Sequence, residues 1–286
     1  MDIRQAHMDQ TQKTSNEPSP AEAQDRAKAT GNAAGTAAGL SIDMGEVEKF
    51  TAMADAWWDP KGKFRPLHLI NPIRLDYIVG DAAQHFGRDR AEPTPLKGLR
   101  ILDVGCGGGL ACEPLARLGA QVTGVDAAAA NIPVAQIHAS QSGLDIEYVN
   151  ATVEELAESG RTFDIVLALE IIEHVNEPPA FIEALHQVMA PDGFMVISTF
   201  NKTAKSFALG IVAAEYVLGW LPRGTHEWQR FVPPRQMEAW VEERAGLFMT
   251  RARGMSYNPL KDRWTLTKDL SVNYLATFKG QESTTR

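Results

Sequence analysis

Three groups of residues in this chain have the types and spacing to do chemistry. The first is Ile101-Leu102-Asp103-Val104-Gly105-Cys106-Gly107-Gly108-Gly109, an apolar run that breaks into glycines. Glycine adopts positive φ and lets a backbone pass close to a ligand. Asp126 closes the next apolar run, Gln121-Val122-Thr123-Gly124-Val125, about 20 residues beyond Gly105, where an acid meets the hydroxyls of a ribose. Asp103, Gly105, Gly107 and Asp126 are therefore candidate nucleoside-binding positions. The second group is Glu170-Ile171-Ile172-Glu173-His174. Two carboxylates and an imidazole this close suit a divalent cation, and hard oxygen ligands with open positions suit magnesium. The alternatives are His174 as a general base or loop orienter, and Glu170 as a ligand contact or cap. The third is Arg74, in Asn71-Pro72-Ile73-Arg74. A guanidinium clamps a carboxylate in bidentate fashion, although an arginine on an amphipathic helix is more often just solvated.

The glycine spacing separates two kinds of nucleoside site. A dinucleotide fingerprint needs glycines at its first, third and sixth positions, the last for close helix–strand packing. Those positions here are Gly105, Gly107 and Leu110. The pattern is instead Gly105-x-Gly107-x-Gly109, which argues against hydride transfer from a nicotinamide dinucleotide.

Strands and helices must alternate to place these groups. Strands are predicted at Arg100–Val104, Gln121–Val125, Ile146–Asn150, Phe163–Leu169 and Phe194–Thr199. Helices are predicted at Leu110–Leu118, Ile132–Ser142, Val153–Glu158 and Pro179–Met189. Such alternation builds a parallel sheet covered on both faces, and ligands bind at the carboxyl ends of its strands. Later come a helix near Pro234–Glu243 and strands within Leu247–Met255 and Val272–Phe278, which form an antiparallel edge. The fold class is α/β, Rossmann-like, with a mostly parallel seven-stranded sheet. Ahead of the sheet, apolar spacing predicts helices over Ile42–Trp58 and Asn71–Phe86, with Pro72 in the first turn of the second. Of the adjacent Trp57 and Trp58, one belongs to the core and the other can cover the site and exclude water.

Composition bounds the rest. The chain has 286 residues, is 44% hydrophobic and carries a net charge of −8. An acidic chain lacks the basic field that nucleic acid requires. Its two cysteines, Cys106 and Cys112, are too few for a disulfide framework and read as reduced, which fits a cytoplasmic protein. Residues 1–40 are polar, carry no secretory signal and are expected to be a disordered tail. Residues 41–286 form one domain: a helical cap at 41–98, a cofactor-binding core at 99–200, an insertion at 201–235, and a final helix and strands at 236–286. The insertion contains Ser206–Leu221, nearly apolar with the single charge Glu215. As a helix it would extend about 24 Å, short of a ~30 Å bilayer core. It is expected to touch a membrane peripherally, to wall a channel, or to be an ordinary buried helix.

Several segments together resemble one family. They are Ala56-Trp57-Trp58-Asp59, Pro66-Leu67-His68, Ile70-Asn71-Pro72-Ile73-Arg74-Leu75, the glycine run, and Glu170-Ile171-Ile172-Glu173-His174-Val175. Later matches are Ala214-Glu215-Tyr216, Arg223-Gly224-Thr225-His226, Tyr257-Asn258-Pro259 and Val272-Asn273-Tyr274. From about Ile42 to Phe278 the chain resembles the bacterial ubiquinone-biosynthesis O-methyltransferases, class I enzymes that use S-adenosylmethionine. The resemblance implies methylation of both 2-polyprenyl-6-hydroxyphenol and 3-demethylubiquinol. It places S-adenosylmethionine against Arg74, Gly105, Asp126 and Leu169, and makes Glu170, Glu173 and His174 the ligands of magnesium and the catalytic group. It departs from many class I methyltransferases at Ala151 and Thr152, where those carry an acid for the adenine amino group. It also implies contact with the inner face of the cytoplasmic membrane and with a quinone-biosynthesis complex. Two other functions fit the same motifs: a metal-independent small-molecule methyltransferase, and a non-enzymatic cofactor-binding assembly protein of the same pathway.

Overall fold

The computed structural model describes residues 57–209 and 227–281. The first helix, α1 (Arg65–His85), begins six residues before the sequence suggests. Pro66 occupies its first turn, where no N–H is needed, and Pro72 lies inside the helix. A mid-helix proline removes one internal hydrogen bond. Long-range contacts on either side of Pro72 hold the helix regardless: Asn71 Nδ2 donates to the Leu110 carbonyl and Arg74 pairs with Glu170. Of the helix expected over Ile42–Trp58, residues 42–56 lie outside the described part. Trp57 and Trp58 themselves sit in a turn.

The core then alternates as expected: β1 (Arg100–Val104), α2 (Cys112–Arg117), β2 (Gln121–Asp126), α3 (Asn131–Gln141), β3 (Glu147–Asn150), α4 (Val153–Glu158) and β4 (Phe163–Leu169). A 3-10 turn (Ile172–His174) leads to α5 (Pro178–Gln187) and β5 (Met189–Phe200). After a single helical turn at Ala204–Ser206 come α6 (Pro234–Ala245), β6 (Phe248–Asn258), β7 (Arg263–Thr267) and β8 (Asn273–Lys279). The α4 start is fixed by a capping box, in which Thr152 and Glu155 satisfy each other's backbone N–H groups.

The sheet has eight strands in the order β3-β2-β1-β4-β5-β8-β6-β7, not seven. The extra strand is β7, whose partly exposed residues pair with β6 as a hairpin. Five strands are parallel, and β8 runs antiparallel between β5 and β6. The antiparallel part is therefore three strands wide.

Strand residues alternate between two apolar layers, as the period of two requires. Leu102, Val166, Ala168 and Ile197 face Phe181, Leu185, Met237 and Val241 of α5 and α6. Ile101, Ile165, Leu167 and Val196 face Tyr77 and Ile78 of α1, Leu115 of α2 and Ile132 of α3. Strand order reverses at β1, which sits between β2 and β4. The crevice beyond the carboxyl ends of β1 and β4 is where such a sheet binds its ligand.

Candidate active site

The glycine loop follows β1 into that crevice. Gly105 has φ +73° and Gly107 has φ +53°, values that carry steric cost for any other residue. A Cβ on Gly105 would overlap Ile171, and one on Gly107 would lie 2.5 Å from the Trp57 indole. The loop is therefore packed tightly from two sides, by the segment after β4 and by the turn that carries the tryptophans. Trp57 stacks on Phe64 with centroids 3.9 Å apart, and its indole N–H donates to Asn131 Oδ1. The Trp58 indole N–H donates to the Gly108 carbonyl at 2.7 Å. Its ring stacks at 3.4 Å on His138, whose Nδ1 lies 2.5 Å from the buried Glu113 carboxylate. Both indoles thus cover the loop; Trp57 also belongs to a small apolar cluster with Phe64 and Leu110.

The two aspartates brace this loop from below. Asp126 Oδ2 accepts the Gly107 N–H and Oδ1 accepts the Ala128 N–H, each at 2.8 Å. Burial raises its pKa against those hydrogen bonds. Asp103 is buried on β1, where it accepts from the Cys112 thiol at 3.2 Å. Burial pushes its carboxyl up to about 7. Both cysteines are free and buried.

The third wall is built from the ends of β4 and β5 and from α1. Leu169 ends β4, half-buried and paired in register with Ser198 of β5. Glu170 follows in a left-handed conformation, φ +55°, which is uncommon for a side chain of this size. Its N–H reaches the Ser198 carbonyl and hydroxyl, and Ser198 Oγ donates to Glu170 Oε1 at 3.0 Å. Arg74 Nη2 donates to the same oxygen at 2.9 Å. Arg74 is 5% exposed, so the solvated-face alternative is excluded.

Glu173 is buried on the 3-10 turn, where Thr199 Oγ1 donates to its Oε2 at 2.8 Å. Burial and the neighbouring Glu170 raise its pKa well above the usual carboxylate range. Its Oε1 and the Arg74 Nε are buried without a hydrogen-bond partner among the described residues. His174 ends the same turn, half-buried, its backbone N–H on the Ile171 carbonyl.

The structure therefore gathers Arg74, Gly105, Gly107, Asp126, Leu169, Glu170, Glu173 and His174 around the ends of β1, β2 and β4. It does not gather the expected magnesium centre. Among the described residues, no three His, Cys, Asp or Glu side chains are arranged to hold a metal ion. Glu170 is instead committed to Arg74 and Ser198, and Glu173 to Thr199. The residues that a reading of the sequence overlooks are Ser198 and Thr199, which fix both glutamates. Their signal was position alone, at the carboxyl end of a central strand.

Comparison with known proteins decides the family. A methyltransferase-domain family matches residues 82–251. The ubiquinone biosynthesis O-methyltransferase of Dinoroseobacter shibae is 53% identical over 236 residues, covering 82% of this chain and 95% of that protein. The same-named protein of Parvibaculum lavamentivorans is 51% identical over 240 residues, 84% of this chain and 94% of its own. The chain belongs to the ubiquinone biosynthesis O-methyltransferases. It is an S-adenosylmethionine-dependent O-methyltransferase of ubiquinone biosynthesis. Solved structures agree on the fold. A magnesium protoporphyrin IX methyltransferase from Synechocystis PCC 6803 superposes with a TM-score of 0.57 at 19% identity, over 82% of this chain and 95% of its own. An N-methyltransferase from Bradyrhizobium japonicum gives 0.52 at 15% identity, over 83% and 99%.

Proposed function

We propose that the chain methylates both hydroxylated polyprenyl intermediates, 2-polyprenyl-6-hydroxyphenol and 3-demethylubiquinol, in the crevice at the ends of β1, β4 and β5. The observation that carries this reading is the buried array of Arg74, Glu170 and Glu173 held by Ser198 and Thr199 beside the glycine loop. S-adenosylmethionine supplies an electrophilic methyl group on a sulfonium centre. The unpartnered Nε of the buried Arg74 fits it to receive the carboxylate of the methionyl part. Asp126 accepts the two loop N–H groups and the Asn131 side chain, and its remaining lone-pair capacity can accept a ribose hydroxyl. Gly105 and Gly107 keep the loop thin, Leu169 offers apolar contact, and Asp103 stiffens β1 beneath the loop.

A phenol has a pKa of about 10, so little phenolate exists at neutral pH. A residue must therefore take the acceptor's proton. Burial and the neighbouring Glu170 push the Glu173 carboxyl well above the usual carboxylate range, and His174, on the same turn, is the general base of this reading. Glu170 and Glu173 then orient the ring oxygens, and the water-excluding cover of Trp57 and Trp58 aligns the two reactants. Among the described residues no trio of ligands for the magnesium implied by the family resemblance is assembled, and the proton route of this reading uses His174.

The acceptor's prenyl tail is a bilayer molecule, and membrane contact is proposed for residues 206–221. Among the described residues no helix is long and apolar enough to cross a membrane. Phe207 and Leu209, at the described start of that segment, are 47% and 51% exposed. Residues 210–226 lie outside the described part.

Methyl transfer from labelled S-adenosylmethionine to a short-tailed demethylubiquinol, with magnesium and with a chelator, tests the reading. Product is expected in both samples, and His174→Ala should reduce turnover by about 100-fold or more. Product only with magnesium would reassign His174 as a metal ligand. No product with either acceptor, despite cofactor binding, would overturn the proposed substrates.

A further inference from the structure

Arg74 and Glu170 come from segments 96 residues apart in sequence and meet as a buried ion pair, their side chains 6% and 16% exposed. The pair is incomplete in a specific way. Nη2 of Arg74 donates to Glu170, and Nε is buried without a partner among the described residues. A guanidinium next to a carboxylate that is free to turn frequently forms two parallel bonds. Glu170 cannot turn freely, since its backbone is fixed at φ +55° and its Oε1 also receives the Ser198 hydroxyl. It therefore holds Arg74 through one contact, while Arg74 retains the means to grip another carboxylate through two.

The crevice cannot favour both carboxylates on Arg74 at once. A two-bond grip through the free Nε needs the neighbouring Nη2 as well, and Glu170 already holds that Nη2. A buried charge left without a partner is costly. Exchange of one partner for another avoids that cost at Arg74.

We propose that Glu170 is a resident competitor for the cofactor's carboxylate. It satisfies Arg74 in the free protein and is displaced from it when the methionyl carboxylate arrives, so that cofactor binding releases Glu170 to the acceptor side of the crevice. This rests on the reading of Arg74 as the carboxylate clamp. It makes cofactor affinity lower than the clamp alone would give, since the competent state must first be freed. It also orders the reaction, cofactor before acceptor.

Titration calorimetry with S-adenosylhomocysteine and with methylthioadenosine tests it. The two ligands share the nucleoside and the sulfur, and only the first has a carboxylate. Arg74→Met should weaken S-adenosylhomocysteine by about 100-fold and leave methylthioadenosine unchanged, as expected of a charge-assisted clamp. Glu170→Gln keeps the side-chain shape and the acceptor for Ser198 but removes the competing charge. It should tighten S-adenosylhomocysteine by about tenfold and leave methylthioadenosine unchanged. Glu170→Asp, which tolerates the left-handed backbone but falls short of Arg74, should act in the same direction. If Arg74→Met behaves as stated while neither Glu170 variant tightens S-adenosylhomocysteine, the competitor is disproved and the clamp survives. Equal tightening of both ligands would also overturn the exchange. If Arg74→Met has no effect on S-adenosylhomocysteine, the clamp reading itself is wrong.

Discussion

At the scale of single residues, the crevice concentrates groups held away from their usual behaviour. Glu170 occupies a backbone region that most glutamates avoid, and Ser198 and Arg74 hold it there. Such strain persists only where surrounding contacts over-determine it. Asp103 has a consequence that can be measured. Its carboxyl stands at about 7 because it is buried, against an ordinary value of 3.8. A carboxyl raised on folding favours the native state while protonated in it. Its contribution is therefore complete below about pH 4, declines as pH rises towards 7, and is flat above that. Urea unfolding at pH 5 and at pH 8 should show a loss on the order of 2 kcal/mol across that window. Asp103→Asn should flatten it. An unchanged slope in the variant would mean that another group titrates there.

At the scale of elements, α1 is the part that joins the crevice to the far end of the sheet. Arg74 projects into the site from this helix. One turn and more further on, Asp81 accepts from Thr277 at 2.5 Å and pairs with Arg251. The Tyr77 ring lies under the Arg251 guanidinium, and its hydroxyl donates to the Arg251 carbonyl. Burial pushes the Tyr77 hydroxyl up to about 12, so it stays a donor at any working pH. The helix is thereby bolted to β6 and β8. Asp81→Ala would remove the carboxylate partner of Arg251 and leave Thr277 only the Tyr77 hydroxyl. It should cost about 2–4 kcal/mol in denaturant unfolding and raise hydrogen exchange along α1. The cost stays moderate because Arg251 is one-third exposed and water can replace its partner. Normal exchange in α1 would show that packing by Ile78 and Tyr77 alone fixes the helix.

At the scale of the whole molecule, two apolar layers enclose the sheet, and the crevice opens at one end of it. A prenylated acceptor, as proposed above, would reach that opening from a bilayer. If residues 206–221 make the contact, the full chain should float with anionic vesicles in a density gradient. Deleting the segment should abolish flotation and leave the affinity for S-adenosylhomocysteine within about threefold, because the glycine loop and Arg74 lie elsewhere in the chain. Flotation that survives the deletion would move the contact to another surface.

Much of this architecture was legible in the sequence, and for identifiable reasons. β1, α4 and β4 fall where apolar runs and the alternation of strands and helices place them. The glycines of the loop advertise positive φ, and the acid at Asp126 stands at ribose distance from them in sequence. These are local signals, fixed by backbone sterics and by a period of two or three to four residues. The errors also have causes. β7 escapes a reading of the sequence because a half-exposed hairpin strand shows little apolar alternation. The start of α1 was misplaced because Pro72 reads as a first-turn residue, and only contacts from Leu110 and Glu170 keep the helix intact around it. Which partner each charge takes was not legible at all. Glu170, Glu173 and His174 are neighbours in sequence, and their spacing suggests one shared cation. Only the fold brings Arg74, Ser198 and Thr199 to them, and these draw the two glutamates into separate hydrogen bonds. The sequence by itself determined the fold class, the loop and the family, because those rest on local pattern. The tertiary structure decided the pairing of buried charges, because that depends on which distant side chain is close enough, in a medium without water, to satisfy them.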